Sequence, residues 1–195
     1  MNIFFQIDGG LGKSIMGTAM VKAIKNKYKK SKLYVVTAYP DVFLNNPYVE
    51  QTFRSDQLNG VYLKYIKDKK AKVFVEDPYR NSNFILEEQH LFQTWCQIYG
   101  LEYNGESPEL YLTQPEIDYF TPFYNTEKPI LAIQPNGGPQ NQGFNYSWTR
   151  DIPDPVVLRV INHFKDKYSI VHIKRKDQRE YPDTLHALDG FRSIA

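Results

Sequence analysis

The sequence predicts an α/β protein in which short parallel strands alternate with helices. Three observations carry this. Apolar runs rich in Ile, Val and Phe recur along the chain, and those at 2–7, 72–75 and 130–134 stop at glycine or acidic turns. Amphipathic stretches of helical period lie between them. Strand, helix and strand follow one another within the first 37 residues, the arrangement of a βαβ unit with parallel pairing.

The elements follow in order. Residues 2–7 form an apolar run ending at a glycine cluster and read as a buried strand. Residues 13–28 carry Met16, Met20, Ala23 and Ile24 at helical spacing, with lysines on the opposite face and at the far end, where cations suit the helix dipole. A β-branched run at 33–37 is the second strand. A short helix is expected at 41–44, stopped by Asn45-Asn46-Pro47, then an extended piece at 48–53 and a helix at 58–67. Residues 72–75 read as another buried strand ending at Glu76-Asp77-Pro78. A single amphipathic helix is expected over 84–99, with Gly100 as its stop. Pro, Asn and Thr residues at 104–108 and 113–128 mark a seam. Beyond it, 130–134 is a fresh strand ending at Pro135-Asn136-Gly137-Gly138, 155–168 is helical and 169–174 is a strand. The expected domains are therefore 1–125, complete, and 126–195, the start of a second unit of the same kind.

Composition narrows the class. Of 195 residues, 42% are hydrophobic and 24% charged, which suits a folded core rather than a disordered chain. The net charge of +2 and the lack of a basic face argue against nucleic acid as a partner. Cys96 is the only cysteine, so no internal disulfide forms, and its apolar helical surroundings predict a buried thiol. No apolar run approaches the length of about 18 residues that a membrane helix needs, and no charged leader precedes the first strand. A cytoplasmic location is the expectation. His90, His163, His172 and His186 lack metal-ligand spacing, and neither a metal nor a cofactor is expected.

The chemistry concentrates at Asp8-Gly9-Gly10-Leu11-Gly12-Lys13-Ser14, where strand meets helix. Glycines there let a ligand approach the backbone, and the first amides of the helix face an anion or a hydroxyl-rich group. A standard nucleotide P-loop requires a glycine five residues before Gly12, and that residue is Ile7. Gly9–Ser14 does match the shortened G-G-x-G-K-[ST] loop of ParA/MinD-type ATPases, with Asp8 in place of their signature lysine. The strand ending at Glu76 and Asp77 would supply a metal-binding acid in that reading.

Over a longer stretch the chain resembles the heptosyltransferase-like glycosyltransferases of family 9. The resemblance rests on Gly10-Leu11-Gly12, Met16-Gly17-Thr18-Ala19 and Ala23-Ile24-Lys25 of the first helix. It continues in Asn45-Asn46-Pro47-Tyr48-Val49-Glu50, in 95–101 followed by Pro108-Glu109-Leu110-Tyr111-Leu112, and in 130–135 with Trp148 and Ile152-Pro153. It implies a GT-B-like architecture of two Rossmann-like domains, the second truncated here. The first would bind a carbohydrate acceptor and the second a nucleotide-sugar donor. A carboxylate would take the acceptor's proton as the diphosphate leaves.

Two departures bear on the site. The family carries an aspartate, its base, where this chain has Lys13, so Asp8 is the candidate base, with Glu76 and Asp77 as further carboxylates. The family's donor-site segment D-[ST]-G followed by His has no counterpart, and Ser147 stands where a lysine usually precedes the tryptophan matched by Trp148. The expected acceptor or anion site comprises Gly9, Gly10, Gly12, Ser14, Glu76 and Asp77, with Asp8 and Lys13 as catalytic candidates. The expected donor site comprises Asn136, Gly137, Gly138, Trp148 and Arg150. Two other readings stay open, a deviant P-loop ATPase and a non-catalytic carbohydrate-binding or structural relative.

Overall fold

The computed structural model describes residues 1–137, 151–187 and Arg192. The chain divides into two compact units, Met1–Thr113 and Gln114–Ala195. Unit 1 contains a four-stranded sheet of β1 (Asn2–Ile7), β2 (Lys32–Thr37), β3 (Gln51–Arg54) and β4 (Ala71–Phe74), in the order β3-β2-β1-β4 with all pairs parallel.

β1 is apolar on both faces because both are covered. Ile3, Phe5 and Ile7 alternate with Phe4, and all four are buried. On one face lies α1 (Leu11–Lys27), which joins β1 to β2. Its approach is close: a methyl group added at Gly17 would stand 2.5 Å from Ile7 Cδ1. The buried pair Ser14 Oγ and Thr37 Oγ1, 3.0 Å apart, adds a polar tie between α1 and the end of β2. On the other face Phe4 stacks on Tyr34 with ring centroids 4.9 Å apart, and Phe53, Leu58, Tyr65 and Ile66 complete the cluster.

Several elements differ from the sequence expectation, each for a local reason. The helix expected at 58–67 is one α-turn, α2 (Leu58–Val61), that widens into a π-turn over Tyr62–Ile66. The helix expected at 84–99 is two. Asn81 caps the short α3 (Ser82–Ile85), Glu87 turns left-handed at φ 58°, and the His90 side chain caps α4 (Leu91–Ile98). The strand expected to be buried at 72–75 is β4, an edge strand of which only Phe74 is buried. Val73 and, just past the strand, Val75 are exposed, since β4 is an edge strand and α4 packs on the side of α1, away from them. Cys96 is buried beside Met20, and burial, followed by the charge of Glu106, pushes its thiol up to about 12.

Unit 2 opens with α5 (Gln114–Tyr124), in the stretch read from sequence as a seam. Pro115 sits in the first turn, where its missing N–H costs nothing. Pro122 lies in the last turn, and the Thr121 hydroxyl donates to the Ile117 carbonyl at 2.6 Å. The parallel strands β5 (Ile130–Ile133), β6 (Ser169–His172) and β7 (Leu185–His186) follow in that spatial order, with α6 (Asp154–Phe164) between β5 and β6. Val157 and Ile161 of α6 pack on Ile170, Tyr181, Leu131 and Ile133. Among the described residues no helix is long and apolar enough to cross a membrane.

His172 is fully buried beneath Tyr181, 5.1 Å away ring to ring, and neither ring nitrogen has a hydrogen-bond partner. Burial, then the charges of His186 and Lys174, hold its pKa below the ordinary value, with Glu180 opposing.

Two expectations follow. Gly17→Ala gains about 1 kcal/mol in helix propensity but overpacks Ile7 by about 1–3 kcal/mol, so urea unfolding should show a net loss of about 1 kcal/mol. His172 takes up its proton more readily when unfolded. The stability it confers is complete above about pH 6.5 and falls as pH drops toward its lower folded value. In denaturant titrations, unit 2 of His172→Phe should show a weaker dependence on pH over that window than wild type.

Candidate functional site

Adjacent parallel strands bring their C-terminal ends to one edge, so the turns after β1 and β4 lie side by side. After Ile7 the chain turns through Asp8, Gly9 and Gly10 into α1. Gly9 has φ 113°, a conformation side chains resist, and a Cβ there would press on Lys13 Cδ at 3.3 Å. Gly10 caps α1 without a side-chain hydrogen bond, and no acidic residue occupies the first turn. Cβ atoms at Gly10 or Gly12 would meet open space.

After β4, Val75, Glu76 and Asp77 lead into a 3-10 turn, Pro78–Arg80. Asp77 Oδ1 accepts from the Tyr79 amide at 3.0 Å. Its other oxygen, Oδ2, lies 2.8 Å from Lys13 Nζ, which also sits 5.7 Å from the centre of the Tyr79 ring. Lys13 thus spans the two strand ends. Burial raises the Asp77 pKa, but the hydrogen bonds from Lys13 and the Tyr79 amide, with the charges of Lys13 and Arg80, outweigh it and hold the carboxyl below the ordinary range. Burial and the Asp77 charge raise the Tyr79 phenol. The hydroxyl of Tyr99, which caps the end of α4, donates to the Glu76 carbonyl at 2.9 Å and anchors this strand end.

Between the two turns lies a cavity of about 550 Å³, whose polar lining includes Gln6, Asp8, Lys13, Glu76, Asp77 and Arg80, backed by Trp95 and Ile98. Asp8 is exposed at it, and Gln6 Nε2 donates to both its carboxylate oxygens, at 3.2 and 3.1 Å. Four residues anticipated from sequence therefore gather here, Asp8, Lys13, Glu76 and Asp77, whereas Gly9, Gly10 and Gly12 form the turn beside the cavity without lining it. Ser14 does not join them, because its side chain points into the core toward Thr37. Gln6, Tyr79 and Arg80 were not anticipated. Gln6 had a signal, as the one polar residue inside an otherwise apolar strand.

In unit 2 the turn after β5 holds Asn136, buried with its amide oxygen unpartnered, and Gly137, whose N–H donates to Asp151 Oδ1 at 2.6 Å. Gly138, Trp148 and Arg150 lie outside the described residues.

No protein-family model and no curated protein sequence matches the chain. Solved structures do. The glycosyl transferase family 9 structure from Veillonella parvula DSM 2008 superposes with a TM-score of 0.63 at 12% identity, covering 88% of this chain and 62% of that one. The ADP-heptose LPS heptosyltransferase II of E. coli gives a TM-score of 0.60 at 13% identity, covering 90% of this chain and 65% of that one. The fold is therefore the GT-B-like α/β architecture of these glycosyltransferases. The chain spans a little under two thirds of either structure.

Lys13→Met leaves Asp77 with its burial less opposed, so the Asp77 carboxyl should titrate at higher pH than in wild type by carbon NMR. An unchanged titration would show that the ion pair does not control it.

Proposed function

We propose that the chain is part of a sugar-transferring enzyme, with a carbohydrate acceptor bound at the Gly9–Asp77 cleft of unit 1 and a nucleotide-sugar donor bound by unit 2. The observation that carries this is the exposed Asp8 carboxylate, aligned by Gln6 beside a cleft of sugar-sized volume. In the reaction an acceptor hydroxyl oxygen attacks the anomeric carbon of the donor. The bond to the diphosphate oxygen breaks with its electron pair, and the hydroxyl proton passes to a carboxylate. Asp8 suits that role better than Asp77. Asp77 is held ionised by Lys13 and is a weaker base for it, whereas the hydrogen-bond donor to Asp8 is a neutral amide. Lys13 then positions Asp77 and presents a cation to the acceptor's oxygens. Glu76 borders the same ligand, and the amides of Gly9, Gly10 and Gly12, in the turn beside the cavity, are candidates to reach it. On the donor side Asn136 and Gly137 are the candidates, together with Gly138, Trp148 and Arg150.

Charge and geometry favour this over a nucleoside triphosphate at the glycine turn. Asp8, Glu76 and Asp77 outnumber Lys13 and Arg80 in the lining, which disfavours a polyanion. The Ser14 hydroxyl, which a P-loop would turn to magnesium, is committed to Thr37.

Turnover with a panel of nucleotide sugars and oligosaccharide acceptors tests the reading. Asp8→Asn should lower kcat by about 10²–10⁴-fold with little change in acceptor binding. Wild-type turnover in that variant would remove Asp8 from the mechanism. Oligosaccharide binding with no turnover on any donor would favour the non-catalytic carbohydrate-binding alternative.

A further inference from the structure

A second cavity, of about 670 Å³, lies on the opposite face of the unit 1 sheet from α1. Strand residues Phe4, Val36 and Val73 line one side of it, and Leu58, Tyr62 and Ile66 of α2 and its π-turn line the other. The one charged lining residue, Asp56, is ion-paired with Arg54. The cavity exists because α3 and α4 follow β4 on the side of α1, which leaves Val73 and Tyr62 exposed on this side.

Its position relative to the cleft argues for one occupant. Gln6 lines both cavities, and Val73 of β4 lines the apolar one while Val75, just past the end of β4, lines the cleft. Phe4 and Val73 are register partners, so the same two strands carry the wall from one cavity into the other. Two residues along a strand is about 7 Å, within reach of a single ligand. The lining passes from hydrocarbon at Phe4 and Val73, through the Gln6 amide, to charge at Asp8 and Lys13. That sequence of polarity fits a molecule with an alkyl tail and a hydroxylated head, and the volume is in the small-molecule range. A second copy docking along the β4 edge is opposed by Lys69, Lys70 and Lys72, which would face their own counterparts.

We infer that this cavity is an apolar subsite of the acceptor cleft, holding the alkyl chain of an amphiphilic glycoside whose sugar head lies against Asp8 and Lys13. The inference rests on the acceptor reading of the cleft proposed above.

Calorimetric titration of the full chain with glucose, n-hexyl β-D-glucoside and n-octyl β-D-glucoside, below their micellar concentrations, tests it. Affinity should rise about two- to fourfold per methylene, and methyl NMR shifts should appear at Val36, Leu58 and Ile66. Val73→Lys and Tyr62→Ala, both at exposed positions that preserve folding, should each flatten the chain-length dependence. Equal binding of all three compounds, with shifts confined to Gly9 and Gly12, overturns the subsite and leaves the acceptor reading standing. Chain-length dependence that survives both variants also overturns it. If octyl pentaethylene glycol binds as tightly as octyl glucoside, the sugar head contributes nothing, and the inference and the acceptor reading fall together.

Discussion

The contact between the Lys13 ammonium and the Asp77 carboxylate holds the functional edge of unit 1 in shape. It joins the turn after β1 to the turn after β4 at 2.8 Å, and the cleft is the space those two turns enclose. Each partner is fixed separately: Asp77 by the Tyr79 amide, Lys13 by its place in the first turn of α1. An ion pair partly shielded from water is worth more in position than in net stability, because desolvation offsets much of its attraction. Its consequence is chemical. One carboxylate of the cleft is neutralised, which leaves Asp8 and Glu76 as the carboxylates that meet solvent, Asp8 being the one aligned by Gln6.

That geometry depends in turn on how closely α1 lies against the sheet. Gly17 removes the side chain that would push the helix off Ile7, and the Ser14–Thr37 hydrogen bond fixes its rotation. With the helix so oriented, Lys13 faces the cleft and Ser14 faces the core. A residue type that would suggest magnesium binding in another loop is here part of the packing. The linker passage adds a further tie, as the Glu109 amide donates to Thr18 Oγ1 at 2.9 Å and Glu109 pairs with Lys22.

Much of this was legible in the residues. Apolar or β-branched runs marked β1, β2, β5 and β6, and Asp8 and Glu76-Asp77 were read as candidate carboxylates at the ends of two strands. The division into α3 and α4 was hidden because it depends on two local side-chain caps and a left-handed Glu87 rather than on periodicity. The edge status of β4 was hidden too, since an apolar strand reads the same whether or not a neighbour covers it. The partner of Lys13 and the inward turn of Ser14 are set by the phase of α1 on the sheet, which spacing along the chain does not specify. Gln6 was visible in principle, as a polar break in an apolar strand whose use became clear only beside Asp8.

Amide shift mapping of the labelled chain tests the central claim most directly. Titration with uncharged oligosaccharides should move the amides of Gly9, Gly10, Gly12 and Lys13 together with those of Tyr79, Arg80 and Asn81, while ATP with magnesium leaves them in place. The opposite pattern, with the glycine turn answering the triphosphate and not the sugars, would contradict the account.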